Sequence, residues 1–317
     1  MPPKHYNPLE IPALSTYPLA DRTSKVSVAD FAVPWQKGGG FADFLNRLPA
    51  VLAAADLNYV IDALVLAYAR RRPVLFGMGA HVIKVGLNPL VIDLMQRGVI
   101  SAVAMNGAGI IHDFELAYAG KTSEDVSASL ADGRFGMAAE TGEYLSRAVK
   151  TAASEKIGLG RAVGRMILNS GLPHMDHSIL ACACRLGIPV TVHVAMGTDI
   201  LHMHPGFDPA AAGEASHRDF RIFAAVVADL YQGVYLNVGS AVILPEVFLK
   251  AQTLVRNLGH RISQVTTVNI DFIRQYRPLT NVVSRPTAES GRGFNLTGPH
   301  ELLLPLIAAG VIEQIDR

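Results

Sequence analysis

Residues 106–113 combine a glycine-rich turn with side chains that can transfer protons. The segment reads NGAGIIHD and follows the apolar run ISAVAM, so Gly107 and Gly109 come directly after an expected buried strand. A turn of this kind at a helix N-terminus directs backbone N–H groups toward a phosphate. His112 and Asp113 follow at once, and imidazole and carboxylate groups act as acids and bases near neutral pH. The segment predicts a ligand-binding loop beside acid–base groups.

Two more glycine turns follow apolar runs elsewhere in the chain. GMGAHV at 77–82 has the first two glycines of a dinucleotide fingerprint, but Val82 stands where the third glycine belongs. NVGS at 237–240 is the other turn. Each turn alone is equally consistent with a plain tight turn. Three such turns in one sheet favour the binding of a nucleotide or a similar anion.

Histidines form a second candidate feature, since five of the eleven lie between residues 174 and 204. His202 and His204, two apart in an expected extended segment, would face the same side, and Asp199 or His193 would complete a zinc-like set. No compact metal-binding signature is present, and scattered histidines are also typical of a polar substrate pocket. We expect no resident metal and keep a metal-dependent hydrolase that uses His193, His202 and His204 as an alternative.

The composition excludes several classes of protein. The formal net charge is +1, from 28 basic and 27 acidic residues without blocks of either sign, so no basic surface for nucleic acid is predicted. No apolar run approaches the roughly 20 residues of a membrane span, and the N-terminus lacks the apolar core of a secretory signal. The only two cysteines, Cys182 and Cys184, suggest buried apolar residues in a reducing compartment. We therefore expect a cytoplasmic protein.

The elements that position these residues follow a repeated pattern. Helical spacing begins at Phe41, and Pro49 divides that stretch into two helices. Five units of short apolar strand, turn and helix follow, with amphipathic stretches at 134–153, 178–186 and 217–231. Apolar strands that alternate with helices indicate a parallel sheet covered on both faces. The predicted fold is α/β, with a doubly wound, mostly parallel Rossmann-like sheet in one domain, 41–317, after an N-terminal extension, 1–40.

This fold predicts the location of the site. Ligands of open parallel sheets bind at the carboxyl ends of the strands, near the point where the strand order reverses. Glycine, asparagine, serine, histidine and aspartate concentrate in the loops expected there, which are residues 77–81, 106–113, 195–204, 237–240 and 269–271.

Five segments in order resemble the deoxyhypusine synthase family: VLFGMGAHVIKVG, AVAMNGAGIIHD, GIPVTVHVAMGTD, GVYLNVGSAV and TAESGRGFNLTGPHELLLPLIAAGV. The resemblance is distant and extends from about residue 70 onward. It implies an NAD-dependent enzyme with a Rossmann-like sheet, usually a homotetramer with sites between subunits. In that family the reaction moves the aminobutyl group of spermidine onto a protein lysine.

The resemblance assigns roles to particular residues. It implies cofactor contacts at three turns and acid–base or cation-binding roles beside them. The implied cofactor residues are Gly79, Ala80, His81, Asn106, Gly107, Ala108, Gly109, Gly239 and Ser240. The catalytic residues that we expect beside them are His112, Asp113, Asp199 and His202, because carboxylates attract an amine and histidine can take a proton near neutral pH. The implied partner is a small-molecule amine.

One departure from the family concerns the nucleophile. The family stores the aminobutyl group on an active-site lysine near the C-terminus, because imine exchange needs a primary amine. The matching stretch, NVVSRPTAESGRGF, contains Arg285 and Arg292 but no lysine. A guanidinium that stays protonated cannot replace the lysine. The sequence leaves two main hypotheses: an NAD-binding enzyme that acts on a small amine by hydride or aminoalkyl transfer, or a binding protein that has kept the fold and lost the chemistry.

Overall fold

The computed structural model describes residues 2–315, so the last two residues of the predicted domain lie outside the described part. Helices and strands alternate from residue 74 onward. The strands are β1 Val74–Met78, β2 Ala102–Asn106, β3 Val190–His193, β4 Val234–Val238, β5 Val265–Asp271 and β6 Gly291–Thr297. The helices are α1 Phe41–Asn46, α2 Leu52–Ala69, α3 His81–Lys84, α4 Asn88–Gln96, α5 Gly107–Ala119, α6 Val126–Leu130, α7 Ala139–Ser154, α8 Leu159–Asn169, α9 Ile179–Leu186, α10 Pro209–Ala228, α11 Ile243–Asn257, α12 Tyr276–Pro278 and α13 His300–Ile315.

The six strands form one sheet in the order β3-β2-β1-β4-β5-β6. Every neighbouring pair is parallel, and in the centre Gly77 of β1 lies between Ala104 of β2 and Asn237 of β4. The strand order reverses between β1 and β4, which is the doubly wound arrangement. The predicted α/β Rossmann-like fold is confirmed, and the sheet is parallel throughout.

The burial of the strands explains which of them the sequence revealed. All residues of β1, β4 and β5 are buried, as expected for strands covered by helices on both faces. The edge strand β6, in contrast, reads GRGFNLT and is mostly exposed or half-buried. Because β6 has neither a continuous apolar run nor strict alternation, it was not among the predicted strands.

Helix boundaries differ from the predictions where capping residues decide them. The helix expected at 217–231 begins earlier, as α10, because Asp208 accepts a hydrogen bond from the Ala211 N–H and Pro209 occupies the first turn. The break at Pro49 separates α1 from α2 as predicted.

Helix α2 is the one described helix that is long and apolar enough to cross a bilayer, judged by length and composition alone. It packs against α13, and Leu57, Val60, Ile61 and Leu64 belong to the main core. This contact gives α2 a role inside the folded domain.

Residues 2–40 contain two short 3-10 turns and otherwise no helix or strand. The end of this segment is joined to the region around α1 by backbone hydrogen bonds, from the Val33 N–H to the Arg47 carbonyl at 2.9 Å and from the Ala50 N–H to the Asp30 carbonyl at 3.0 Å. Apolar side chains before that point, such as Leu9 and Val28, are largely exposed.

Candidate active site

The loops that follow β1 and β4 touch each other at the point where the strand order reverses. The Gly79 N–H donates to the Val238 carbonyl at 2.8 Å. A Cβ on Gly79 would lie 2.2 Å from the carbonyl oxygen of Gly239, so only glycine fits there. Gly239 itself has a φ of +66°, a left-handed conformation that favours glycine. The predicted cofactor residues of these two loops therefore lie in contact where the strand order reverses, and we call this place the β1/β4 crevice.

His300 lies against this crevice. It is the first residue of α13 and is fully buried, and a Cβ on Gly239 would lie 2.7 Å from its Cε1 atom. Its Nε2 is 3.2 Å from the Ile270 carbonyl, which can only accept, so Nε2 carries the proton. Nδ1 is then an acceptor, and it has no hydrogen-bond partner in residues 2–315. Burial lowers the pKa of His300, which favours the neutral imidazole.

Other aromatic and acidic groups surround the His300 ring. The rings of His81 and Phe272 lie 5.3 Å and 6.0 Å from it, and Asp271 Oδ1 lies 4.0 Å from its Nε2. His81, the predicted cofactor residue that begins α3, is exposed. The crevice thus has a buried proton acceptor beside an accessible imidazole.

A row of asparagines fixes the loop after β4. The Asn237 amide Nδ2 donates to the Ser240 carbonyl at 2.9 Å and to Asn269 Oδ1 at 2.8 Å, and Asn269 donates in turn to Asn295 Oδ1 at 2.8 Å. Ser240, another predicted cofactor residue, is buried, and its Oγ accepts from the Leu244 N–H at the start of α11. These bonds hold the crevice wall in place before any ligand arrives.

The turn at 106–109 differs, because a carboxylate of the chain itself occupies the N-terminus of α5. Asn106 Oδ1 accepts from the Gly109 N–H at 3.2 Å, and Asp199 is hydrogen-bonded to the backbone of Ala108. A Cβ on Gly107 would lie 1.9 Å from Asp199 Oδ2. Burial raises the pKa of Asp199. A phosphate at this helix N-terminus would have to displace the Asp199 side chain.

His202 lies on the same loop as Asp199. Its Nδ1 accepts hydrogen bonds from the N–H groups of Gly197 at 3.0 Å and Asp199 at 3.3 Å, and its ring packs against Phe207 at 4.9 Å. The structure therefore brings Asp199 and His202 together, in contacts that shape the loop after β3.

Asp113 is fully buried and caps another helix. Its carboxylate accepts from Ser178 Oγ at 2.5 Å and from the N–H groups of Ile179 at 2.8 Å and Leu180 at 3.2 Å, which begin α9. Asn88 Nδ2 donates to the same carboxylate at 3.2 Å. Burial raises the pKa of Asp113 to about 6, although these hydrogen bonds oppose the shift. Because protein groups saturate both oxygens, the geometry makes Asp113 a helix cap.

His112 points to a different environment from its neighbour Asp113. Its Nδ1 lies 2.6 Å from Thr122 Oγ1, and that hydroxyl donates to Glu115 Oε2 at 2.5 Å. Since the hydroxyl hydrogen is used on Glu115, His112 Nδ1 must donate, which leaves Nε2 as an acceptor. Burial, and then the charge of Lys84, lower the pKa of His112 to about 4. In this chain of hydrogen bonds from His112 through Thr122 to Glu115, the imidazole of His112 is therefore neutral.

A cavity of about 580 Å³ adjoins Thr122 and Glu115, between α5, α7 and the segment that joins them. Three glutamates line it, Glu115, Glu124 and Glu140, together with the rings of Phe114 and Tyr118 and the cations Lys121 and Arg134. Burial raises the pKa of Glu115, and the charge of Glu124 adds to the shift. We call this space the glutamate cavity. Carboxylates beside aromatic rings are suited to an organic cation.

The three histidines of the metal alternative lie in separate environments. His193 is buried, with Nε2 3.0 Å from Thr191 Oγ1, and His204 Nε2 donates to the Gly136 carbonyl at 2.8 Å. The segment expected to be extended is a 3-10 turn at Ile200–Met203, so His202 and His204 do not share a face as predicted. No group of three or more His, Cys, Asp or Glu side chains within residues 2–315 is placed to hold a metal ion.

His300, Asp271, Thr122 and the glutamates of the cavity were not among the predicted site residues. His300 had a usable signal, since GPH precedes the last apolar helix and places it at a helix N-terminus beside the strand ends. The loop at 120–138 gave no comparable signal, because only the folded chain brings Thr122 to His112 and Glu115.

Known structures with this fold include one that was solved with NAD+ bound. A protein from Entamoeba histolytica provisionally assigned as a deoxyhypusine synthase matches 89% of this chain and 96% of its own, at 11% identity and a TM-score of 0.55. AgrE, solved as a ternary complex with ornithine and NAD+, matches over 81% of this chain at 14% identity and a TM-score of 0.55. A Methanococcus maripaludis S2 protein provisionally assigned to LOR/SDH matches over 83% of this chain and 70% of its own, at 14% identity and a TM-score of 0.52.

These matches show the fold alone, because the identities are low. The chain spans about a third of the AgrE structure, 32%, and of the cyanobacterial arginine dihydrolase ArgZ, 33%. No protein-family model matches the chain, and no curated protein matches it. The chain therefore shares with these structures the Rossmann-like fold of its six-stranded parallel sheet.

Proposed function

We propose that this chain is an NAD-binding enzyme that acts on a small amine by hydride or aminoalkyl transfer. The observation that carries the proposal is the β1/β4 crevice. There the loops at Gly79 and Gly239 meet, and the buried His300 keeps one ring nitrogen, Nδ1, without a hydrogen-bond partner in the described residues. The strand-order switch is the usual ligand position in this fold. The two glycines there allow the loops and the His300 ring to pack closely.

The residues of the crevice fit a dinucleotide. Gly79, Ala80 and His81 on one side and Gly239 and Ser240 on the other would hold it, since they belong to the two strand-end loops that meet at the strand-order switch. When bound, NAD would supply a hydride acceptor. The Asn106–Gly109 turn is less suited to a phosphate, because Asp199 already interacts with the N-terminus of α5.

The acid–base and substrate-binding roles fall to two groups of residues. The bare Nδ1 of His300 is the proton acceptor in the crevice, and the glutamate cavity binds the ammonium groups of the substrate. Helix α3 links the two regions, because His81 at its start lies beside His300 and Lys84 at its end lies close enough to His112 to influence its pKa. Of the four catalytic residues predicted from the sequence, this proposal retains His112 and gives Asp113, Asp199 and His202 structural roles.

Binding of NAD is tested first, by isothermal titration calorimetry. We expect Gly79→Ala to weaken NAD binding at least tenfold, because the added Cβ forces the two crevice loops apart. Gly213→Ala is the matched control, since a Cβ at Gly213 meets nothing within 4 Å. Melting temperatures of both variants show whether Gly79→Ala is folded. Absence of NAD binding by the folded wild type would refute the proposal.

Turnover is tested with NAD and a panel of diamines, polyamines and ornithine, by following NADH. We expect Glu115→Gln to raise KM for the amine about tenfold through the lost cation contact, and His300→Gln to lower kcat with NAD affinity retained. Glu143→Gln, an exposed change on α7, is the control and should alter neither constant. Equal KM values for Glu115→Gln and wild type would exclude the glutamate cavity as the amine site.

The second candidate function is a binding protein that has lost the chemistry. The segment that would carry the nucleophilic lysine has none, and its two arginines have structural contacts: Arg285 donates to Asn281 Oδ1, and Arg292 lies over the ring of Tyr59. Saturable binding of NAD and of an amine, without NADH formation from any compound of the panel, would favour this candidate.

The homotetramer implied by the family resemblance is also part of the proposal. Light scattering after size-exclusion chromatography measures it directly. A monomer at assay concentrations would contradict the tetramer and leave the crevice proposal unaffected.

A further inference from the structure

Two adjoining cavities lie where α8 and α10 meet the edge strand β3, away from the β1/β4 crevice and the glutamate cavity. The larger has a volume of about 660 Å³ and the smaller about 380 Å³. Both are lined by Arg161 and Ile222, so they share a wall. The larger volume is typical of sites for small molecules.

Five cations surround these cavities: Lys156, Arg161, Arg165, Arg218 and Arg221. The whole chain has a net charge of only +1, so the cluster is a local concentration of positive charge. Glu155 pairs with Arg165 through two hydrogen bonds, and Glu214 lies 3.5 Å from Arg218. Arg161 and Arg221 are exposed, and neither is in a salt bridge in the described part of the chain.

The wall of the larger cavity has a different character. Apolar groups of Leu180, Ile188, Pro189, Val190 and Ile222 form most of it. Its buried polar group is Asp219, whose Oδ2 accepts from the N–H groups of Gly160 at 3.0 Å and Val192 at 2.9 Å. A flat ring would bury apolar surface against this wall, and an N–H group on that ring could donate to the Asp219 carboxylate.

We propose that the paired cavities bind a nucleoside phosphate, with the base in the larger cavity and the phosphates among Arg161, Arg218 and Arg221. Guanidinium groups recognise phosphate oxygens with strong, charge-assisted hydrogen bonds. A bare inorganic anion would leave the apolar wall unused, and an uncharged nucleoside would leave the cations unused. The site is independent of the proposed NAD crevice.

Calorimetry with ADP tests the site, with pyrophosphate and adenosine as the separated halves of the ligand. We expect the wild type to bind ADP more tightly than either half, and the double variant Arg161→Ala/Arg221→Ala to bind ADP at least tenfold more weakly. Arg256→Ala removes an exposed arginine from α11 and should leave ADP affinity unchanged. No ADP binding by the wild type, ADP affinity retained by the double variant, or equal affinity for pyrophosphate and ADP would overturn the proposal.

Hydrogen exchange separates this site from the crevice, where ADP resembles part of NAD. We expect ADP to slow the exchange of backbone amides at 158–163 and 188–192. Protection confined to the loops after β1 and β4 would show that ADP binds in the crevice, and the proposal would fail. Both substituted arginines are exposed, so the melting temperature of the double variant should equal that of the wild type.

Discussion

The two halves of the sheet use the same sequence of strand, turn and helix in opposite ways. In the β1/β4 crevice, glycines let the two loops and the His300 ring pack together, and His300 leaves one nitrogen without a hydrogen-bond partner in the described residues. On the side of β2 and β3, aspartates contact three helix N-termini: the buried Asp113 that of α9, the half-buried Asp199 that of α5 and the buried Asp219 that of α8. A helix N-terminus favours negative charge from any source. On the β2/β3 side the chain supplies that charge itself.

A glycine turn at a helix N-terminus binds an external anion only if no carboxylate of the chain already lies there. The NGAG turn has the composition of a phosphate loop, yet Asp199, about 90 residues later, lies against Gly107. The turns at Gly79 and Gly239 meet each other and not a carboxylate. Local composition predicts that an N-terminus can bind an anion, and the rest of the chain decides whether it is already satisfied.

The largest effect is expected for Asp113→Ala. The change removes the acceptor of four hydrogen bonds in a fully buried place and leaves their donors unpaired, so we expect a loss of about 3 kcal/mol in the free energy of unfolding. Urea denaturation measures it. Asp176→Ala, on an exposed carboxylate, is the control and should change stability by less than about 0.5 kcal/mol. A stable Asp113→Ala variant without NADH formation would instead make Asp113 a catalytic residue.

The next effect is a pH dependence carried by Asp219. Burial raises its pKa to about 7, from about 4 in the unfolded chain, so the folded protein binds this proton more tightly. The stabilisation that the Asp219 proton gives to the folded protein is therefore fully present below about pH 4 and is lost as the pH rises through about 7. Asp219→Asn cannot titrate, yet one amide oxygen can accept both bonds that Oδ2 accepts.

We therefore expect the stability advantage of the wild type over Asp219→Asn to shrink by about 2 kcal/mol between pH 5 and pH 8. Urea denaturation at a series of pH values measures this difference. His112 and His193, whose pKa values are lowered by burial, titrate in both proteins and cancel. A difference that grows with pH would mean that Asp219 is ionised and stabilising in the folded protein.

The sequence predicted most of the architecture because strands β1, β3, β4 and β5 are fully buried. Runs such as VLFGM and VYLNV admit few alternatives when helices alternate with them, and the switch between β1 and β4 follows from the doubly wound pattern. The edge strand β6 was not predicted, because its exposed face carries polar residues and glycine.

The site was predictable only where its residues are close in sequence. Gly79 and His81, or Gly239 and Ser240, were predicted together because each pair belongs to one strand-end loop. The contact of His300 with Gly239 spans 61 positions, and the pairing of Thr122 with Glu115 depends on a loop of no regular pattern. The sequence predicted that His112 and Asp113 act together as acid–base groups. Adjacent helical residues point in different directions, however, so the two side chains lie in separate environments.

A third substitution, Asp199→Ala, tests whether Asp199 occupies an anion site at the N-terminus of α5. Removing this carboxylate should free the N-terminus of α5, so that the α5 turn comes to resemble the empty turns of the crevice. We expect a loss of about 1 kcal/mol in the free energy of unfolding, which phosphate restores in the variant and not in the wild type. Denaturation with and without phosphate, at constant ionic strength, measures this. If phosphate stabilises both proteins equally, the α5 N-terminus is no anion site, and its glycines serve only to let Asp199 approach.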